Sequence, residues 1–370
     1  MNADDAFWTT YRHHAERLVG DVAAAASGSP HRELSALDVI AATATSHPDV
    51  AALLMREGLA AGPAGRYERD GLISSIERAM TGSGWRRSAI DLPPSILIGA
   101  TFRFLSMRLS DGGSLDGLGD ALREWANVFA ERSSRPSWSA RLAPSLTQRA
   151  SRPQVYSGGT RLVGTPRERM IRATAATVCK RGFRDVTVTD IVEHAGVSRR
   201  GFYNEFLGKS GAFIATYEYG FQQCLAACAP AFFASEAWRE RVWHGAEAFR
   251  RFLLREPLIG YLGVGECYSA GPGFARRVRE TQLAFTLFLE EGYRQRPEAQ
   301  LLSRACSALT TAAIFEAAFC GLRGGPSASV RRMQPLAAYI ALAPFIGRDA
   351  AGEFVAGKVS EQARTASAAG

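Results

Sequence analysis

The sequence predicts an all-α fold in which one small three-helix unit sits between two larger helical bundles. Three observations carry this reading. Apolar residues recur at three-and-four spacing over most of the chain, with few alternating, strand-like runs. Capped helix starts and glycine stops crowd together at residues 165–210. Short segments of the first half return in the second at a nearly constant offset, as repeated helical units do.

With 370 residues the chain exceeds one ordinary core, and two or three units are expected. Its 46% hydrophobic and 22% charged residues describe a soluble globular protein. No uncharged apolar run approaches the ~20 residues needed to span a bilayer; the richest stretch, Ala308 to Leu322, contains Glu316. Asp4 and Asp5 precede any apolar segment, the reverse of the basic start of an export signal. A cytoplasmic, nucleoid-associated protein without a membrane role is expected.

Residues 1–130 read as the first bundle and residues 211–347 as the second. Ala6-Phe7-Trp8-Thr9-Thr10-Tyr11 resembles Ala212-Phe213-Ile214-Ala215-Thr216-Tyr217 at an offset of 206. His47-Pro48 matches Glu256-Pro257, and Leu59-Ala60-Ala61-Gly62-Pro63 matches Tyr268-Ser269-Ala270-Gly271-Pro272, now at an offset of 209. Arg66 and Arg69, like Arg276 and Arg279, then follow within a helix-like stretch. The common order makes duplication of one helical domain the better account.

Between the bundles, residues 131–164 mix Ser, Pro, Gly and Arg and read as a linker. Six arginines between Glu131 and Thr165 face a single acid, a net of +5, and residues 166–210 carry a net of +4, against +8 for the whole chain. The positive charge is therefore concentrated in the centre. A polyanionic partner favours such a zone, because phosphate contacts release counterions and steer encounter. Residues 348–370 read as a flexible tail.

Within residues 165–210, Thr165-Pro166-Arg167-Glu168 combines a capping threonine, a proline at the first helical position and a glutamate that completes a capping box. The first helix should run to about Arg181 and stop at Gly182, with Ile171, Ala175 and Val178 inward and Phe183 packed beneath. Thr187-Val188-Thr189-Asp190 caps a second helix that buries Val188, Ile191, Val192 and Ala195 and ends at Gly196. Ser198 can cap a short third helix, Arg199 to Phe206. At about 100° per residue, Phe202 and Phe206 face inward, Arg200 and Asn204 point the opposite way, and Tyr203 lies on the flank. Arginine can pair with guanine edges and asparagine with adenine, while tyrosine and lysine reach phosphates. Gly201 permits close backbone approach.

The string Thr187-Val188-Thr189-Asp190-Ile191-Val192-Glu193-His194-Ala195-Gly196-Val197-Ser198-Arg199-Arg200-Gly201-Phe202-Tyr203-Asn204-Glu205-Phe206, followed by Lys209, resembles the signature of the TetR family of transcriptional regulators. Leu207 and Ser210 depart from the proline-like and acidic choices commoner around that lysine. The resemblance implies a helix-turn-helix on double-stranded DNA. Thr189, Tyr203 and Lys209 would touch phosphates, Arg199, Arg200, Gly201 and Asn204 would face the groove, and Thr187 and Ser198 would complete the site. It further implies that residues 211–347 bind a small apolar effector and dimerise, through helices at about Leu302–Cys320 and Met333–Phe345.

Residues 1–130 then look like a second regulatory domain without its own reading head, and Met1 falls close to where such a head would have ended: either the protein carries one head and two regulatory domains, or an upstream segment was lost or omitted. Two assemblies follow. Either two chains form a homodimer that sets two heads on a palindromic operator, or the two regulatory domains of one chain pair as a pseudo-dimer with a single head. A ligand-responsive repressor is expected, with a DNA-binding scaffold acting through protein partners as the alternative.

Enzyme signatures are missing: no Gly-x-Ser-x-Gly elbow and no phosphate-binding loop occur, since Gly208-Lys209-Ser210 lacks the glycine six residues before its lysine. No catalytic residue, cofactor or metal is expected. Cys224 and Cys228 share a helix face but have no evident further ligands, and Cys179, Cys267, Cys306 and Cys320 read as core. His194 is a solvated surface residue of the second helix.

Overall fold

The computed structural model describes residues 3–81, 90–110, 112–130, 137–142, 164–270, 272–323, 330 and 333–368. The first half forms α1 (Ala3–Ala26), α2 (Arg32–Ser46), α3 (Pro48–Ala52, continued by a π-helical stretch Leu53–Glu57), α4 (Gly62–Met80), α5 (Pro94–Ser110) and α6 (Leu118–Val128). Among the described residues the one β-type contact is an isolated bridge between Ile90 and Ala130. The periodicity explains the helices: α2 buries Ala36, Leu37, Ile40, Ala41 and Ala44, and α6 buries Leu118, Leu122, Trp125 and Ala126. Gly62 adopts φ +73°, which an L side chain rarely adopts, and Pro63 follows inside the first turn of α4.

After α7 (Trp138–Leu142) come the three short helices of the centre, α8 (Pro166–Arg181), α9 (Val188–Ala195) and α10 (Arg199–Glu205). The second half comprises α11 (Gly208–Phe233), α12 (Trp238–Arg255), α13 (Pro257–Val264), α14 (Pro272–Thr286), α15 (Ala305–Arg323) and α16 (Met333–Ile346), followed by α17 (Arg348–Ala368). Residues 3–128 and 208–346 thus run through six main helices in the same order, with a proline opening the third and fourth helix of each set.

The tail expected to be flexible is a 21-residue helix instead. Ala351 and Val355 are fully buried, and α17 packs along α16. Its alanine-rich pattern carries too little amphipathic signal to be read as helix from sequence; tertiary contact decides it. The linker reading also needs amendment where it can be compared. Residues 131–136 and 143–163 lie outside the described residues, but α7 between them is docked: Asp91 accepts from the backbone N–H groups of Trp138 (2.9 Å) and Ser139 (3.0 Å). The Trp138 ring occupies the space where a side chain at Gly352 would stand.

The two halves meet along α5 and α15, with α6 lying against α15 and α16. Helix α15 is long and apolar enough to cross a membrane, yet it is buried on nearly every side within the protein. At its centre Glu316 receives Arg69 through two bonds of 2.9 Å and Arg103 through one of 2.6 Å, all three side chains being buried. Gly99 makes room for the carboxylate, since a Cβ there would stand 2.4 Å from Glu316 Cδ. Burial alone would raise the Glu316 pKa, but the two guanidiniums outweigh it and hold it at about 2. Trp125 Nε1 donates to Thr310 Oγ1 (3.2 Å) and the Tyr339 hydroxyl to Asp91 (2.9 Å), both across the same boundary.

Candidate nucleic-acid interface

The central helices begin and end as their residues dictate. Thr165 Oγ1 accepts from Glu168 N (3.3 Å), and Thr165 N donates to Glu168 Oε2 (2.9 Å), which holds the Glu168 carboxyl below its usual pKa. Gly182, at φ +87°, terminates α8. The same reciprocal box opens α9: Thr187 Oγ1 accepts from Asp190 N (3.2 Å) and donates to Asp190 Oδ2 (2.7 Å). Gly196, at φ +63°, turns the chain toward α10, where Ser198 Oγ accepts from Gly201 N (3.0 Å).

Below α10, Phe202 and Phe206 are buried, their rings 5.4 Å apart. Above it, Arg199, Arg200, Tyr203 and Asn204 are exposed, with Tyr203 at 56% despite its large apolar ring. Arg199 Nη2 donates to Thr189 Oγ1 (2.9 Å), which joins α9 to this exposed face. One short helix, held by a capped turn and an aromatic floor, therefore presents two guanidiniums, an amide and a phenol on a single convex face.

Residues 170–216 match the family model described as bacterial regulatory proteins, tetR family. The match spans 47 of the chain's 370 residues, from within α8 into α11. No curated protein matches the chain. Solved structures that it resembles include the fatty acid degradation regulator FadR from Bacillus halodurans (14% identity, TM-score 0.43, 49% of this chain and 97% of that one). Others are a TetR-family regulator from Syntrophomonas wolfei (13%, 0.41, 49% and 95%) and the TetR-family regulator PfmR from Thermus thermophilus (18%, 0.38, 48% and 98%).

One residue of this central unit has a task that its sequence did not disclose. The Lys209 ammonium donates to the carbonyl oxygens of Phe183 (3.0 Å), Arg184 (2.8 Å) and Val186 (2.9 Å), and lies 5.0 Å from the Phe183 ring centre. All three of its donors are thereby engaged in tying α11 to the loop between α8 and α9. The Thr187 hydroxyl is likewise occupied, both donating and accepting within its capping box.

The central unit is joined to the second half of the chain by α8, which packs on α11 and α13. Arg172 donates to Glu256 Oε1 (2.9 Å), and Cys179 Sγ lies 3.5 Å from the Leu258 carbonyl. Sequence reasoning missed this pairing, because Glu256 registered only as the partner of His47 in the repeat. Behind α13 lies a cavity bordered by Tyr217, Cys224, Ile259 and Gly260, and next to it an apolar cavity of about 80 Å³ that includes Phe232, Phe288 and Ala341 in its lining. Phe249, Phe285 and Phe315 border both. Cys224 and Cys228, their sulfurs 3.9 Å apart, each touch one cavity. Among the described residues no three His, Cys, Asp or Glu side chains gather as a metal site.

Proposed function

We propose that this regulator represses transcription by seating α10 in the major groove of double-stranded DNA, and that a small apolar effector releases it. The observation that carries the reading is the exposed face of Arg199, Arg200, Tyr203 and Asn204 on a helix whose opposite side is fixed by Phe202 and Phe206. Arg200 and Asn204, four residues apart on one side, suit guanine and adenine edges; Gly201 lets the backbone approach. Tyr203 and the Ser198 hydroxyl are positioned to donate to phosphates beside them. Thr189 acts by orienting Arg199 as well as through any phosphate contact. Thr187 and Lys209 act mainly by holding the head together.

The effector would enter the apolar cavity of the second half. At about 80 Å³ this cavity is smaller than the ~300–1,000 Å³ of sites for drug-sized ligands, so an effector must widen it. The neighbouring cavity is walled by Ile259 and Gly260 of α13, next to Leu258, which abuts α8. Widening therefore shifts α13 against the head, and an effector that favours the wider state disfavours the DNA-bound one to the same extent.

The test is pooled-oligonucleotide binding at a fixed, near-physiological salt concentration, comparing the wild type with an Arg200→Ala, Tyr203→Ala double variant. One enriched motif, lost in the variant, is expected. Salt-sensitive binding without a motif, unchanged in the variant, would sink this reading in favour of a DNA-associated scaffold.

A further inference from the structure

We infer that the two halves of this chain form a closed intrachain pair, so that the reading head at residues 165–210 has no twofold mate from a second copy of the chain and takes a single half-site. This rests on the DNA-binding reading above. The contact between the halves is built from like elements, though not reciprocally throughout: the fifth helix of one set, α5, lies along the fifth of the other, α15, and the sixth, α6, rests on α15 and α16, while α5 has no comparable contact with α16. Like elements meeting like is what a twofold interface produces. Here both partners belong to one polypeptide, and α15 has almost no uncovered face left to offer a second chain.

The charges at this boundary make the pairing selective. Among the described residues, Glu316 of the second half is satisfied by Arg69 and Arg103 of the first, and it occupies space left by Gly99. Arg69 and Arg279 are related by 210 positions, and the starts of the fifth helices, Pro94 and Ala305, by 211. At these offsets Gly99 corresponds to Leu309 or Thr310, and Arg103 to Ala313 or Ile314. Two second halves pairing with each other would thus press each buried carboxylate against an uncharged side chain bulkier than glycine. Two first halves would bury the Arg103 guanidinium without a carboxylate and leave Arg69 only Asp70, 3.8 Å away, because Glu316 corresponds there to Leu105 or Ser106. A buried charge deprived of its partner is strongly unfavourable, so each half rejects its own copy and accepts the other.

The first half also grips the head. Arg66 of α4 pairs with the fully buried Glu266 and lies 5.6 Å from the Tyr261 ring centre, directly behind α13. A side chain at Gly182, the stop of α8, would strike Pro63. The first half therefore buttresses the head at residues 165–210.

The test is the mass of the full chain by sedimentation, free and on DNA, together with half-site selection. A free mass of 40.0 kDa that does not rise with concentration, and one chain per duplex, are expected. Adding an inverted second half-site should improve the affinity only about twofold, whereas two linked heads would gain ~100-fold or more. A stable two-chain species, including one in which chains exchange halves, would overturn the inference, as would an enriched palindrome bound by two chains. Loss of all motif selection would refute the DNA reading alone, and the free mass would still decide the pairing.

Discussion

Replacing Glu316 by alanine should cost about 4 kcal/mol of stability. The carboxylate is 1% exposed and accepts three charge-assisted bonds from Arg69 and Arg103, which are 0% and 1% exposed. Removing one partner of such a cluster leaves the others desolvated and unpaired, at a cost of ~3–5 kcal/mol. Titration leads independently to a similar figure. A folded pKa of about 2 against an ordinary value of 4.5 is worth ~3 kcal/mol. Because the folded pKa is depressed, that contribution is complete above pH ~4.5 and disappears as the pH falls through about 2. Urea unfolding followed by circular dichroism and tryptophan fluorescence measures both effects, and Trp125 reports from the boundary itself. The wild type should lose stability steeply between about pH 5 and about pH 2, and Glu316→Ala should show a shallower slope. A loss below ~1 kcal/mol at neutral pH would refute the reasoning, since it would mean that water or rearrangement reaches the two guanidiniums. Substituting all three residues together, Arg69→Met, Arg103→Met and Glu316→Leu, should recover most of the loss, because the charges specify the pairing more than they stabilise it.

Gly99→Ala forces a Cβ to within 2.4 Å of Glu316 Cδ and should destabilise by ~1–3 kcal/mol in the same unfolding assay. Lys209→Met removes three carbonyl partners, and hydrogen exchange in the loop between α8 and α9 should accelerate. DNA affinity should then fall with no change in salt slope, whereas a phosphate-binding lysine would reduce the slope by ~0.9. Glu256→Gln weakens the half-buried bond to Arg172, and should loosen the head relative to α13, read as a reduced response of DNA binding to effector at unchanged global stability. Burial raises the thiols of Cys179, Cys267, Cys306 and Cys320 to about 12, so in mildly alkaline buffer they should react with an aromatic disulfide ~1,000-fold more slowly than after unfolding.

The head was legible from sequence almost to the residue, because its boundaries are local chemistry. Thr165 and Thr187 open helices by bonding their own third residues, and Gly182 and Gly196 close them at positive φ. The face of α10 followed from ~100° steps between two phenylalanines. What sequence could not give was partner identity over long separations. Glu316 registered only as the residue that interrupts an apolar run, and Arg69 only as a marker of the repeat; their bond spans 247 positions. Lys209 matched a family pattern, and only the folded loop discloses that three carbonyls surround it. The C-terminal helix was misread for a related reason. Its pattern is nearly uniform around the axis, so which face is buried depends on α16 and Trp138, neither of which its own residues announce.

One geometric consequence links the buried ion network to regulation. The first half touches the second at α15, the wall of both cavities through Phe315, and touches the region behind the head through Arg66 and Pro63. It therefore braces both ends of the path from cavity to α10. A brace that keeps α13 and α8 in one arrangement raises the free energy of the widened, effector-bound state, and lowers effector affinity by the fraction of molecules able to adopt it. Arg66→Met, which releases the grip behind α13 and leaves both the cavity lining and the α10 face intact, should tighten effector binding and weaken DNA binding together. Coupling through one shared equilibrium demands opposite signs in the two assays, measured by titration calorimetry and by DNA-binding anisotropy. Changes of the same sign would mean that Arg66 acts on folding alone, and that the first half is a passive mate of the second.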